Sequence, residues 1–147
     1  MKKHWLLLLF VLAADQITKY LARRMEAPRT LIPGILQLRC VWNDGVAFSL
    51  LRSSPLLLTA LSAAALATVY LLIRKQLNQT LTAAGFCLLL GGAVSNQLDR
   101  LLFSRVTDMI ELLFVRFAVF NVADIAVVIG VGLLAWSLIF QQGRGAT

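Results

Sequence analysis

The chain has 147 residues, 59% of them hydrophobic and only 14% charged, with a mean hydropathy of +0.80. Soluble domains carry about 25% charged residues, so this composition excludes an ordinary water-soluble globule and makes lipid the natural solvent; the length fits one domain. The net charge of +7 is scattered between apolar blocks, which points to anionic phospholipid headgroups and away from nucleic acid.

The opening, Met1-Lys2-Lys3-His4 and then an apolar run, imitates a signal peptide, but no small-x-small cleavage site follows. It reads as a retained span over 4–22, interrupted by Asp15 and Lys19. Crossing about 30 Å of hydrocarbon takes about 20 apolar residues, and three further stretches meet that length: 55–73, 79–98 and 121–140. The whole chain, 1–147, is then one polytopic membrane domain.

Two longer connections, 23–55 and 100–120, fall on one side of such a bundle, and both termini and the short turn near Arg74 fall on the other. Residues 35–42 and 113–120 read as extended, which predicts a small β-like sheet at one membrane surface. The longer connections hold most of the arginines, and a plain positive-inside count places them in the cytoplasm.

Ionisable groups inside spans are costly and usually mark function. Asp15 and Lys19 are four apart and share a helical face, where they form an ion pair. Asn96, Asp99 and Arg100 share a face at i, i+3 and i+4, and Asp99 with Arg100 is read as an interfacial charge pair. Asn121 and Asp124 open the last span, and Asp108 lies in the connection before it. The later aspartates gather at one end of the bundle, whereas an ion path would spread such groups through the depth. Cys40 and Cys87 read as apolar filler without disulfide or metal spacing, and the lone His4 excludes a histidine triad or zinc site. Two carboxylates without those partners suggest acid–base chemistry on water: held close, one keeps a proton and the other activates the nucleophile.

The chain resembles the lipoprotein signal peptidase (signal peptidase II) family over nearly its whole length. The resemblance rests on five motifs in order: Asp15-Gln16-x-x-Lys19, Asn43-x-Gly45-x-Ala47-Phe48, Gly91-Gly92-Ala93-x-x-Asn96-x-x-Asp99-Arg100, Val106-x-Asp108 and Phe120-Asn121-x-Ala123-Asp124. Ser95, Thr107, Glu111 and Val46 depart from the family's usual residues without removing a proposed catalytic group.

The resemblance implies an aspartic endopeptidase of the bacterial inner membrane that removes signal peptides from diacylglyceryl-modified prolipoproteins, cutting before the lipidated cysteine. It implies no metal and no cofactor. Asp108 and Asp124 would be the catalytic pair; Asn96, Asp99, Arg100 and Asn121 would orient it or bind substrate backbone. Asp15, Lys19, Asn43 and Gly45 would support the site or its loop. It also implies cytoplasmic termini and catalytic residues near the periplasmic side, against the charge count. The oligomeric state stays open, with a monomer compatible. A small proton- or ion-coupled transporter is the alternative reading of membrane carboxylates.

Overall fold

The computed structural model describes residues 2–45 and 55–141. Ala47 and Phe48, the second half of the Asn43 motif, lie outside the described residues. The four apolar runs form helices: α1 (Lys2–Arg23), α2 (Pro55–Ile73), α3 (Thr80–Phe103) and α4 (Val122–Gln141). Each is long and apolar enough to cross a membrane. Large apolar side chains such as Leu6, Phe10, Leu72, Val128 and Ile139 point outward, as lipid-facing helices require. A single 3₁₀ turn, Arg74–Gln76, joins α2 to α3.

Three strands pack at the end of the bundle where α1 and α3 finish and α4 begins: β1 (Arg29–Ile32), β2 (Leu36–Asn43) and β3 (Val106–Leu112). They form one antiparallel sheet in the order β1-β2-β3. The β1–β2 hairpin turns at Pro33-Gly34: proline presets φ at the first corner, and Gly34 supplies the positive φ of 70° needed at the second. Ile35 N–H closes the turn on Ile32 O at 3.0 Å. A bulge between Leu38 and Val41 resets the register, so that Val41 faces Asp108 and Asn43 faces Val106 across the β2–β3 ladder.

The expected strand over 113–120 is displaced. The strand is β3, immediately upstream; of the expected segment, Phe120 bridges to Ile110 and Leu113 N–H donates to Ile35 O at 2.9 Å. The segment 113–118 is exposed, so its hydrophobicity does not mark a sheet face. The strand β1 was not foreseen either. The third helix continues one turn past the expected end at 98, to Phe103, where Ser104 stops it in the left-handed conformation at φ 59°.

Helix α3 is central. Glycines on both helices let α4 approach closely: a Cβ at Gly130 of α4 would lie 2.6 Å from Leu89 N, and one at Gly92 of α3 would overlap the Ala123 carbonyl. Small residues at such crossings are the usual route to helix packing in lipid, where no hydrophobic effect drives association. This close approach brings the first turn of α4, with Asp124, against Asn96 of α3. The buried apolar cluster of Ile73, Leu77, Leu89 and Leu134 lies toward the other end of the bundle.

Candidate active site

Asp108 sits on β3 with 2% of its surface exposed. Its two oxygens accept from two asparagine amides: Asn43 Nδ2 at 2.8 Å and Asn121 Nδ2 at 2.6 Å. Asn43 is fixed in turn, because its Oδ1 accepts the N–H of Gly45 at 2.9 Å. Gly45 has a φ of 77°, and a Cβ there would lie 2.7 Å from Leu58 Cδ1, so only glycine closes this corner against α2 without strain.

Asp124 occupies the first turn of α4 and is half-buried. Asn121 caps that helix. Its Oδ1 accepts Asp124 N–H at 2.9 Å, while Asp124 Oδ2 accepts Asn121 N–H at 3.2 Å. This is a reciprocal capping box, with aspartate in the place of the usual glutamate. One residue, Asn121, therefore holds both carboxylates, Asp108 through its Nδ2 and Asp124 through its backbone N–H, while its Oδ1 fixes the Asp124 backbone. Asn96 Nδ2 donates to the other Asp124 oxygen at 2.8 Å.

Beneath the pair lies a buried charged network. Lys19 Nζ meets Asp15 Oδ2 at 2.7 Å and donates to Asn96 Oδ1 at 2.7 Å, and both ionic side chains are fully buried. The ammonium claims the oxygen of Asn96 and thereby turns its amide nitrogen toward Asp124. Asp15 Oδ1 accepts the N–H of Ala123 at 2.8 Å, placing a carboxylate from α1 on the N-terminus of α4. The expected Asp15–Lys19 pair is present. The expected Asp99–Arg100 pair is not: Asp99 faces Lys19 and Arg23, each at 3.6 Å, and accepts Thr107 N–H at 2.8 Å. Neighbours in sequence on a helix diverge by about 100°, so Asp99 turns inward while Arg100 turns toward α2 and α4.

Burial pushes the Asp108 carboxyl up from 3.8 to about 6. The Asn43 hydrogen bond opposes that rise, and the neighbouring Asp124 charge adds to it. Two cavities meet at Asp124. One, of about 460 Å³, runs between the chain at Phe117–Phe120 and the outer face of α4 at Ile125, Val128 and Ile129. The other, of about 380 Å³, lies between α2, α3 and α4 and carries Asn96, Arg100 and Ser62 among apolar walls. Among the described residues no cluster of three His, Cys, Asp or Glu side chains is placed to hold a metal ion.

All ten site residues named from the sequence gather at this end of the bundle. Four others were missed. Ser95 Oγ donates to Asp15 at 2.6 Å, Gln16 Nε2 donates to Ser95 Oγ at 2.9 Å, and Arg23 donates to Thr107 Oγ1 at 2.9 Å. For Ser95 and Thr107 the signal was present: Ser95 directly precedes Asn96 and Thr107 directly precedes Asp108.

A polytopic helical membrane protein with two buried or half-buried aspartates, each hydrogen-bonded, beside cavities at one end defines a class, that of membrane proteins with a carboxylate pair at one end of a helical bundle. The family follows from comparison. The model for signal peptidase (SPase) II matches residues 7–140, and the chain belongs to that family. A lipoprotein signal peptidase of Lactobacillus johnsonii is 37% identical over 136 residues, covering 90% of this chain and 88% of that one. One from Synechococcus sp. is 39% identical over 150 residues, covering 96% and 98%. A bacterial membrane enzyme solved by the in meso method at 1.9 Å superposes with a TM-score of 0.86 at 27% identity, covering 95% of this chain and 94% of that chain. The ion-coupled transporter finds no support in these relationships.

Proposed function

We propose that this chain is an aspartic endopeptidase that removes the signal peptide from diacylglyceryl-modified prolipoproteins, cutting before the lipidated cysteine, with Asp108 and Asp124 as the catalytic pair. The observation that carries the assignment is the shared hold of Asn121 on both carboxylates at the junction of two cavities.

Asp108, pushed up to about 6, keeps its proton to higher pH than an ordinary aspartate and serves as the acid. Asp124, on a helix N-terminus and bonded to two N–H donors, serves as the base. A water between them gives a proton to Asp124 as its oxygen attacks the scissile carbonyl carbon. Asp108 donates its proton to the carbonyl oxygen. The tetrahedral adduct collapses when that proton returns to Asp108 and the proton on Asp124 passes to the leaving amine of the lipidated cysteine. Both aspartates end as they began, and one water has been consumed. Asn96, Asn121 and Asn43 fix the carboxylates, while Lys19, Asp15 and Asp99 fix the asparagines and the start of β3. Arg100 offers guanidinium N–H groups to backbone carbonyls of the bound peptide.

The sheet and the pair face the periplasm, and the termini lie in the cytoplasm of a bacterial inner-membrane protein. Phospholipid surrounds the exposed apolar helices, and nothing in the proposed chemistry calls for a second copy. The test is purified protein in lipid with a lipid-modified precursor peptide, read by mass. Two products that differ from the precursor by one water, separated at the modified cysteine, are expected. Asp108→Asn and Asp124→Asn proteins should yield neither; turnover by either variant removes that residue from the pair.

A further inference from the structure

The cavity between α2, α3 and α4 has one wall with little to hold it. Only 6% of the α2 span is buried inside the protein, against 50% of the α3 span. Its apolar anchorage, through Leu66, Val69 and Ile73, belongs to the end away from the aspartates. Near the aspartates the polar groups of α2 mostly serve α2 itself: Ser62 Oγ donates to Leu58 O at 2.8 Å. Thr68, further along, likewise donates to Ala64 O at 2.9 Å.

Thr59 is different. Its hydroxyl donates to Gln97 Oε1 of α3 at 3.2 Å, and Gln97 Nε2 donates back to Thr59 O at 3.0 Å. The same Gln97 oxygen accepts Arg100 NH1 at 3.1 Å. An amide oxygen has two lone pairs, and here both are used. Arg100 forms no ion pair among the described residues, although it lines the cavity with Asp124. Asp124, Asp108 and Asp99 act on it through longer-range charge, and its direct hydrogen bond is to Gln97.

We propose that Gln97 is a positioning residue for substrate binding: its amide aims Arg100 into the α2–α3–α4 cavity and fixes the second turn of α2 as that cavity's opposite wall. This rests on the peptidase reading, in which the cavity takes the peptide segment beside the scissile bond. Gln97 forms no hydrogen bond with Asp108 or Asp124, so its main effect falls on how well the peptide is held. Binding lost equally from ground and transition states raises KM and spares kcat.

The experiment is steady-state cleavage of the lipid-modified precursor by Gln97→Leu, Gln97→Glu and Thr59→Val, with melting temperature and the pH profile of kcat alongside. Gln97→Leu, which loses all three bonds, should raise KM about tenfold or more, with kcat changed by less than about threefold and its pH profile unmoved. Thr59→Val keeps the Gln97–Arg100 bond and should raise KM by only about threefold. Gln97→Glu keeps the acceptor for both Thr59 and Arg100 and should stay within about twofold of the parent KM. An unchanged KM in Gln97→Leu, whatever its melting temperature, overturns the proposal. So does a collapse of kcat at constant KM. Should Gln97→Leu fail to fold, an unchanged KM in Thr59→Val overturns it equally. Failure of the parent enzyme to cleave is seen before any variant is compared; it sinks the peptidase reading and this inference with it.

Discussion

Replacing Asp108 by asparagine separates two effects that the structure places on one side chain. The first is ionisation. The folded carboxyl titrates at about 6 and the unfolded one near 3.8. A folded pKa above the unfolded value stabilises the protein below the unfolded pKa, and that stability is lost as pH rises through the folded one. Full ionisation therefore costs on the order of 3 kcal/mol, of which about 1.4 kcal/mol is lost between pH 5 and pH 8. Asparagine carries no such cost at any pH. The second effect is hydrogen bonding. Both Asp108 oxygens face N–H donors, from Asn43 and Asn121, and asparagine presents one oxygen and one NH₂. Neither donor is free to flip: Asn43 Oδ1 is held by Gly45 N–H and Asn121 Oδ1 by Asp124 N–H. One donor is left opposing another, at about 1–3 kcal/mol. The opposed donors weaken the variant at every pH alike, so only the ionisation contribution changes with pH. Relative to the parent, Asp108→Asn should gain about 1.4 kcal/mol between pH 5 and pH 8 while cleaving nothing at either. Unfolding in detergent, followed by tryptophan fluorescence at the two pH values, measures it. Parallel pH dependences in the two proteins would show that Asp108 does not carry the raised pKa, and the proposed acid would have to be sought elsewhere.

Asn121→Ala removes the cap of α4 and a donor to Asp108 together, so stability should fall by about 0.5–2 kcal/mol and kcat/KM by about a hundredfold, read from melting and single-turnover cleavage; a stable, active variant would dissolve the shared hold. Asn43→Ala removes a bond that favours the charged form of Asp108, so the alkaline limb of the kcat/KM profile should move to higher pH than in the parent; a limb that stays in place or moves down refutes the assignment of that limb to Asp108. Ser104→Cys, in a Cys40→Ser, Cys87→Ser background, should react with a membrane-impermeant maleimide from the periplasmic side; labelling only from the cytoplasm inverts the proposed orientation.

The helices were legible because each is an unbroken apolar run, and the Asp15–Lys19 pair because i,i+4 spacing fixes geometry within one helix. Contacts between segments were less so. The motif around Asn96 places three polar residues on neighbouring positions, but only the α3–α4 crossing at Gly92 and Gly130 decides that Asn96 meets Asp124, and only the α1–α3 packing beside Gly91 decides that Asp99 meets Lys19. Arg100 looked like the partner of Asp99 because it is adjacent in sequence, and adjacency on a helix is divergence. The sheet was misplaced because 113–120 is the more hydrophobic segment; in a membrane protein apolar character marks what faces lipid as readily as what faces a core. The true strand, Val106–Leu112, carries Asp108 and Glu111, and Glu111 is tied to Arg39 of β2 at 2.8 Å. β1, four exposed residues long, leaves almost no trace in composition.

The corner where α4 begins has a consequence for how the protein is made. Asp15 comes from the first helix to be synthesised, and the Ala123 N–H that it accepts comes from the last. Between them, Asn121 and Asp124 supply Asp108 with one of its two donors and its proposed catalytic partner. On a nascent chain whose first three helices are already in the bilayer, Asp108 has neither, and Asp15 has only Lys19 and Ser95. Insertion of the fourth helix closes the corner and completes the proposed hydrolytic centre in the same event. On that proposal membrane integration is its own activation step, because a chain halted before residue 121 has neither Asn121 nor Asp124 to give to Asp108.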